Sequence, residues 1–338
     1  MKSAVYAGKE KIEIVQHEPA EPGPGDVRVR VAYCGICGTD VHIYQGKMDS
    51  RIAVPQPIGH EMSGVVEAVG REVSGFAPGD HVTVRPLVYE DDASAWQRPG
   101  AHIRPGVRFM GIDTPGAFQY SWTVPARTLH KLPQGLPLDA GALAEPLAVA
   151  CHDVRRGRVA AGEHAVVIGG GPIGMLIALV ARAVGAQVLV SEINRHRLAL
   201  LEQMGLDTVD PTEADIEQVV KQRTGGVGAD VVFEVTGTQA GAQTMTKLPG
   251  VRGRIVVVGI FGEPPAVDLF QFFWSELELL GARVYAAEDF ERAITLAANG
   301  TLPLEKLISK KVDLEDLEAA FEEISAGADL MKVLVKCS

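Results

Sequence analysis

Apolar and polar positions alternate along Val27-Arg28-Val29-Arg30-Val31-Ala32, and β-rich runs recur at residues 63–70 and 80–84. A period of two sends alternate side chains to opposite faces of a strand, so each run is expected to lay one face on a core. Pro22-Gly23-Pro24-Gly25 and Ala77-Pro78-Gly79-Asp80 supply turn chemistry between the runs. Residues 90–105 are polar without a period and are expected to form a surface loop or lobe. The first part of the chain is therefore expected to be mostly β.

From about His164 the pattern changes to strands alternating with amphipathic helices. Strands are expected at 165–168, 187–192, 230–235 and 254–260, with a further pair near Thr208 and at 279–284. Helical periodicity falls between them at 173–184, 195–204, 213–223 and 239–247. Six strands with crossover helices predict a doubly wound parallel sheet, an α/β domain beside the β-rich one. Two more helical patterns, 289–298 and 314–325, precede a last strand at 332–336. This tail is expected to pack back on the first domain, which makes the parallel-sheet domain an insertion. The apolar run 165–181 approaches the ~20 residues that span a bilayer. Its three consecutive glycines and Pro172 break it instead into a strand, a tight turn and a helix.

At 338 residues the chain has room for two domains, and 46% hydrophobic with 22% charged residues excludes intrinsic disorder. A formal net charge of −11 repels phosphate backbones, so nucleic acid is not expected as a partner, and the broken apolar run leaves no membrane expected either. Four cysteines are too few for a disulfide scaffold of this length. With charged residues near the N-terminus in place of an apolar signal segment, a cytoplasmic setting is expected.

Val167-Ile168-Gly169-Gly170-Gly171-Pro172-Ile173-Gly174 places glycines at G-x-G-x-x-G spacing after a predicted strand and at the start of a predicted helix. Gly169 permits the tight turn, Gly171 lets a pyrophosphate approach the backbone, and Gly174 lets helix pack on strand. The free N–H groups of the helix N-terminus then face the anion. At the end of the next strand Glu192 is placed to accept from a ribose 2′-hydroxyl and repel a 2′-phosphate, which favours NAD over NADP, although Arg195 and Arg197 follow closely. S-adenosylmethionine or a flavin nucleotide is the alternative ligand of such a turn.

Cys34-Gly35-Ile36-Cys37 is a C-x-x-C, which alone fits half a zinc ribbon or a redox pair, and no second C-x-x-C exists. Gly59-His60-Glu61 and Ala144-Glu145-Pro146 add imidazole and carboxylate. Thiolate, imidazole and carboxylate together suit Zn²⁺ with a position left open for substrate.

Together these residues resemble the zinc-dependent medium-chain dehydrogenases/reductases over essentially the whole chain. Cys37-Gly38-Thr39-Asp40-Val41-His42-Ile43-Tyr44 is most similar to the threonine, butanediol and polyol dehydrogenases. The resemblance implies a GroES-like, mostly-β catalytic domain over 1–146 and 287–338, and a Rossmann domain over 147–286. It implies one catalytic Zn²⁺ at Cys37, His60 and Glu61, with Glu145 binding directly or through water. Hydride passes from a carbinol carbon to NAD, and Thr39 and His42 carry the released proton to solvent. Cofactor contacts are implied at Gly169, Gly171, Pro172, Ile173, Gly174, Glu192, Arg197, Val258, Gly259, Ile260, Ala282 and Arg283. Tyr44, Phe118 and Tyr285 are expected as walls of the substrate pocket, with core packing as the alternative for each. A homodimer or homotetramer is implied, joined at the edge of the cofactor domain.

Many members of that family carry a second zinc in a C-x2-C-x2-C-x7-C lobe. The matching positions here are Glu90, Ala93, Trp96 and Arg104, which cannot form a thiolate site, so no structural zinc is expected. Burial of Trp96 and a Glu90–Arg104 pair are expected to hold the lobe instead. The expected activity is hydride transfer between the secondary alcohol of a polyol, sugar or related small molecule and NAD. L-threonine or 2,3-butanediol dehydrogenation is the alternative, followed by a zinc-free quinone reductase or a non-catalytic relative.

Overall fold

Val27, Val29 and Val31 are fully buried while Arg28 and Arg30 between them keep partial exposure, as the alternation requires. Their strand, Asp26–Gly35, pairs antiparallel with Glu61–Val69, Ser121–Pro125 and Lys332–Lys336. The computed structural model describes residues 1–19, 21–89 and 100–338, so Glu90, Ala93, Trp96 and the expected Glu90–Arg104 pair lie outside the described residues.

The chain divides into two compact units, Met1–Glu145 with Phe290–Ser338, and Pro146–Asp289. In the first, a seven-stranded sheet has a main path that runs Leu129–Lys131, His81–Val84, Glu61–Val69, Asp26–Gly35, Lys332–Lys336, Ile308–Asp313. The C-terminal strand thus lies directly beside an N-terminal one. Its core gathers Val29, Ile43, Ile58, Met62, Phe118, Phe321 and Val335.

The second unit is a six-stranded, all-parallel sheet ordered Asp207–Val209, Gln187–Ser191, His164–Ile168, Ala229–Glu234, Pro249–Val257, Glu278–Gly281. Strand order reverses between His164–Ile168 and Ala229–Glu234, the switch point at which doubly wound sheets bind ligands. The apolar run resolves into the strand His164–Ile168, the glycine turn and the helix Pro172–Val184, whose residues 174–181 are all buried. No helix among the described residues is long and apolar enough to cross a membrane.

Several boundaries differ from the expected ones for local reasons. The helix expected from 213 starts at Ile216, because Asp215 accepts from the N–H groups of Glu217 and Gln218 and so caps it. The pattern at 314–325 splits into a 3₁₀ turn, Leu314–Asp316, and a helix, Leu317–Ser325. The strand expected over 279–284 spans Glu278–Gly281. Helix Leu269–Ser275 has no buried residue and reads Leu-Phe-Gln-Phe-Phe-Trp-Ser, apolar on nearly every side, so it presents no helical period to detect.

Candidate metal and dinucleotide sites

The ends of three neighbouring strands assemble the metal-type cluster. Cys37 follows strand Asp26–Gly35 and is the N-cap of helix Gly38–Tyr44; His60 precedes Glu61, the first residue of its strand; Lys332 opens the C-terminal strand. Glu61 pairs with Gly35 across the sheet. A Cβ on Gly35 would stand 2.3 Å from Glu61 Oε2, so a side chain there would push that carboxylate from its place across the neighbouring strand.

Donor atoms of Cys37, His60 and Glu61 all lie within 4.8 Å of one another, with His60 and Glu61 buried and Cys37 half-buried. Sulfur, nitrogen and oxygen at that spacing fit one zinc with bonds of about 2.0–2.3 Å. Asp40, fully buried, braces two of the three. Its Oδ2 accepts from the Cys37 N–H at 2.9 Å, and its Oδ1 stands 3.4 Å from His60 Nδ1. A carboxylate facing Nδ1 favours the Nδ1–H tautomer and leaves the Nε2 lone pair for a metal.

Lys332 donates to both Glu61 oxygens, at 2.9 and 2.7 Å, and to the Ile36 carbonyl at 3.1 Å. Burial alone would lower its pKa, yet the charges of Glu61, Cys37 and Glu145 hold it above the ordinary lysine value. Burial likewise opposes a charged His60, but Asp40 and Cys37 beside it raise its pKa well above the usual range. The cluster therefore concentrates negative charge that a cation would satisfy.

Glu145 is buried in the first turn of helix Ala144–Arg156 and lies outside the three-ligand group. Thr39 and His42 sit half-buried on helix Gly38–Tyr44. Burial, with the Lys47 charge, lowers the His42 pKa below its ordinary value. Tyr44 and Phe118 are core groups: Tyr44 stacks on Phe321 with ring centroids 4.9 Å apart, and Phe118 meets Phe321 edge-on. Tyr285 is also fully buried. Tyr44 and Phe118 thus pack on Phe321, and all three side chains are buried.

In the second unit Gly169 has φ +103°, and a Cβ on Gly174 would come 1.8 Å from the Gly169 carbonyl. Gly171 is the N-cap of helix Pro172–Val184, Pro172 opens it, and Ile173 follows half-buried. Glu192 is buried, and its Oε2 accepts from the Gly170 N–H at 2.8 Å. Its Oε1 accepts from the N–H groups of Ile193 and Asn194. Arg197 Nη1 stands 3.7 Å from Glu192 Oε2. The G-x-G-x-x-G turn and the acidic residue are thus one hydrogen-bonded unit. Val258, Gly259 and Ile260 form the turn after strand Pro249–Val257. Ala282, just past the edge strand, donates to the Val257 carbonyl at 3.0 Å, and Arg283 beside it is exposed.

Asp40 and Lys332 escaped the motif reading. Asp40 was legible in principle, three residues after a cysteine as an N-cap partner; the partner of Lys332 depends on the fold.

Residues 23–134 match the family described as alcohol dehydrogenase GroES-like domain, and residues 172–299 match the zinc-binding dehydrogenase family. The 2-dehydro-3-deoxy-L-galactonate 5-dehydrogenase of Pseudoalteromonas atlantica is 52% identical over 338 residues, 100% of this chain and 99% of that protein. The crystal structure of 2R,3R-butanediol dehydrogenase from Bacillus subtilis superposes with a TM-score of 0.92 at 31% identity, covering 99% of each chain. A zinc-binding dehydrogenase from Sinorhizobium meliloti, solved bound to NADP, also reaches 0.92 at 31% identity, covering 99% of this chain and 98% of that one.

Proposed function

This chain belongs to the zinc-dependent medium-chain dehydrogenases/reductases, and from that premise we propose that it oxidises a secondary alcohol of a 2-dehydro-3-deoxy sugar acid with NAD. The observation that carries the substrate class is 52% identity across the whole chain to a dehydrogenase acting at the 5-position of such an acid, against 33% for a butanediol dehydrogenase. The residues proposed for the metal are Cys37, His60 and Glu61, with Glu145 at its margin.

When bound, zinc supplies Lewis-acid polarisation of the substrate oxygen, and NAD supplies the hydride acceptor. Asp40 fixes the Cys37 backbone and the His60 tautomer, while Lys332 balances the Glu61 charge. Thr39, a hydroxyl that both accepts and donates, takes the proton from the substrate oxygen. His42, with its lowered pKa, is a neutral imidazole at neutral pH and accepts that proton toward solvent. The amides of Gly171, Ile173 and Gly174, which the turn leaves free at the helix start, hold the pyrophosphate. NAD is preferred over NADP because Arg197 faces Glu192, which leaves a 2′-phosphate opposite a buried carboxylate.

An NAD-reduction screen over 2-dehydro-3-deoxy-galactonate, sorbitol, 2,3-butanediol and threonine, with zinc quantified in the same preparation, tests this reading. We expect the highest kcat/KM on the sugar acid and one zinc per chain. A preference for threonine or butanediol would reject the substrate class.

The same premise leads us to propose a homodimer in a reducing, cytoplasmic setting. Among the described residues strand Glu278–Gly281 has a single neighbour in its sheet and so offers an open edge. Beside it in sequence, Phe273 and Trp274 are 78% and 71% exposed, and Phe270 stacks on Trp274 with centroids 5.8 Å apart. A monomer rarely leaves such aromatics in water, and a second copy pairing edge to edge would cover both features. Light scattering of Phe273→Ser/Trp274→Glu is expected to show a shift from dimer toward monomer with zinc content unchanged. An unaltered mass would place the interface elsewhere.

A further inference from the structure

Glu234 ends strand Ala229–Glu234 with its side chain fully buried. Its Oε1 accepts from the Thr236 N–H at 2.9 Å and from the Thr236 hydroxyl, and its Oε2 accepts from the Gly237 N–H at 3.1 Å. Its main-chain carbonyl accepts from the N–H groups of Val258 and Gly259, both at 2.9 Å. One residue therefore ties together the turns that follow two adjacent parallel strands.

Those turns are pressed on each other. A Cβ on Gly237 would lie 2.5 Å from the Ile260 carbonyl oxygen, and one on Gly259 would lie 2.3 Å from Gly237 N and 2.6 Å from Glu234 Oε2. The Thr236 hydroxyl continues the network to Thr238 Oγ1 at 2.8 Å, which accepts from the Gly241 N–H and caps helix Gln239–Met245. Val235 N–H donates to the Ile168 carbonyl at 3.0 Å, so the assembly abuts the glycine turn.

Sheet order then decides which part of a dinucleotide meets it. Glu192, the ribose-type acid, follows the strand on one side of His164–Ile168, and the pyrophosphate turn follows that strand itself. The remaining half of the ligand has to run the other way, over the ends of Ala229–Glu234 and Pro249–Val257. Resting on the NAD-dependent reading above, we infer that Glu234 is a positioning residue for the nicotinamide ring of the cofactor, setting the height of the 236–238 and 258–260 turns. A carboxylate suits three converging donors because it only accepts; a glutamine there turns an NH₂ group toward an N–H.

The test uses the zinc-loaded full chain carrying Glu234→Gln, with NADH affinity read by nicotinamide fluorescence and ADP-ribose affinity by calorimetry. Loss of a charged hydrogen-bond acceptor predicts a Kd for NADH weakened roughly tenfold, with ADP-ribose held within about twofold. Thr236→Val, which keeps volume and removes one donor, is expected to move NADH the same way by less and serves should the first variant fold poorly. Equal weakening of both ligands would reduce Glu234 to general support of the unit and overturn the inference, as would no change in either. Wild-type protein that binds ADP-ribose but not NADH would instead reject the dinucleotide reading itself, and this inference with it.

Discussion

Cys37→Ser is expected to strip the protein of zinc and lower kcat/KM by about a thousandfold, because Lewis-acid stabilisation of the developing alkoxide is worth several kcal/mol. Serine keeps the size of the side chain but replaces a soft thiolate with a hydroxyl that stays protonated near neutral pH and binds zinc poorly. Cys37 caps helix Gly38–Tyr44, and the Asp40 carboxylate accepts from its backbone N–H, a bond that serine leaves in place, so the helix start survives the substitution. NADH binding, proposed for the Pro146–Asp289 unit, is expected to persist. Metal analysis and steady-state rates on one preparation give the answer. A variant with stoichiometric zinc and the wild-type rate would remove Cys37 from the ligand set.

Lys332→Met is expected to destabilise the zinc-free protein by roughly 3–5 kcal/mol, the cost of stranding one charge of a buried ion pair. Lys332 and Glu61 are each almost wholly buried, and every lysine hydrogen bond in the structure ends on Glu61 or on the Ile36 carbonyl. Methionine fills the volume of the stem but leaves Glu61 without a counter-charge. At ~2–4 °C per kcal/mol for a unit of this size, the melting temperature falls on the order of 10 °C. Saturating zinc narrows the gap, because the metal then balances the carboxylate. Adding Glu61→Gln to Lys332→Met recovers much of the loss in zinc-free protein, since neither charge is then buried alone. A zinc-free Lys332→Met protein that melts with wild type would show that the pair contributes nothing.

The glycine-rich turn with its acidic partner was the most legible part of the chain. Its information is local: three glycines at fixed spacing, a strand before them, a helix after them and an acid one strand later. The structure joins these pieces through the Gly170–Glu192 hydrogen bond. The metal cluster was legible as a set of residue types: Cys37, His60 and Glu61 come together at the ends of neighbouring strands, while Glu145 lies outside that group. Tyr44 and Phe118 were ambiguous because an aromatic in a core and an aromatic in a pocket look the same in one dimension; their contacts with Phe321 depend on a helix more than 200 residues away. Helix Leu269–Ser275 escaped because an element with no buried face has no period.

By itself, then, the order of residues determined what depends on neighbours in the chain. It determined the β-rich and α/β textures, the phosphate-type turn, the donors available for zinc and the lack of cysteines for a second metal. Tertiary structure alone decided which distant charges meet. Lys332 lies 271 residues from Glu61, yet reaches it because the last strand adds to the sheet beside Asp26–Gly35. Glu234 supports two turns because parallel strands bring their carboxyl ends to one edge of the sheet. Such contacts come from sheet register, and register is set by which faces are buried together rather than by any short motif.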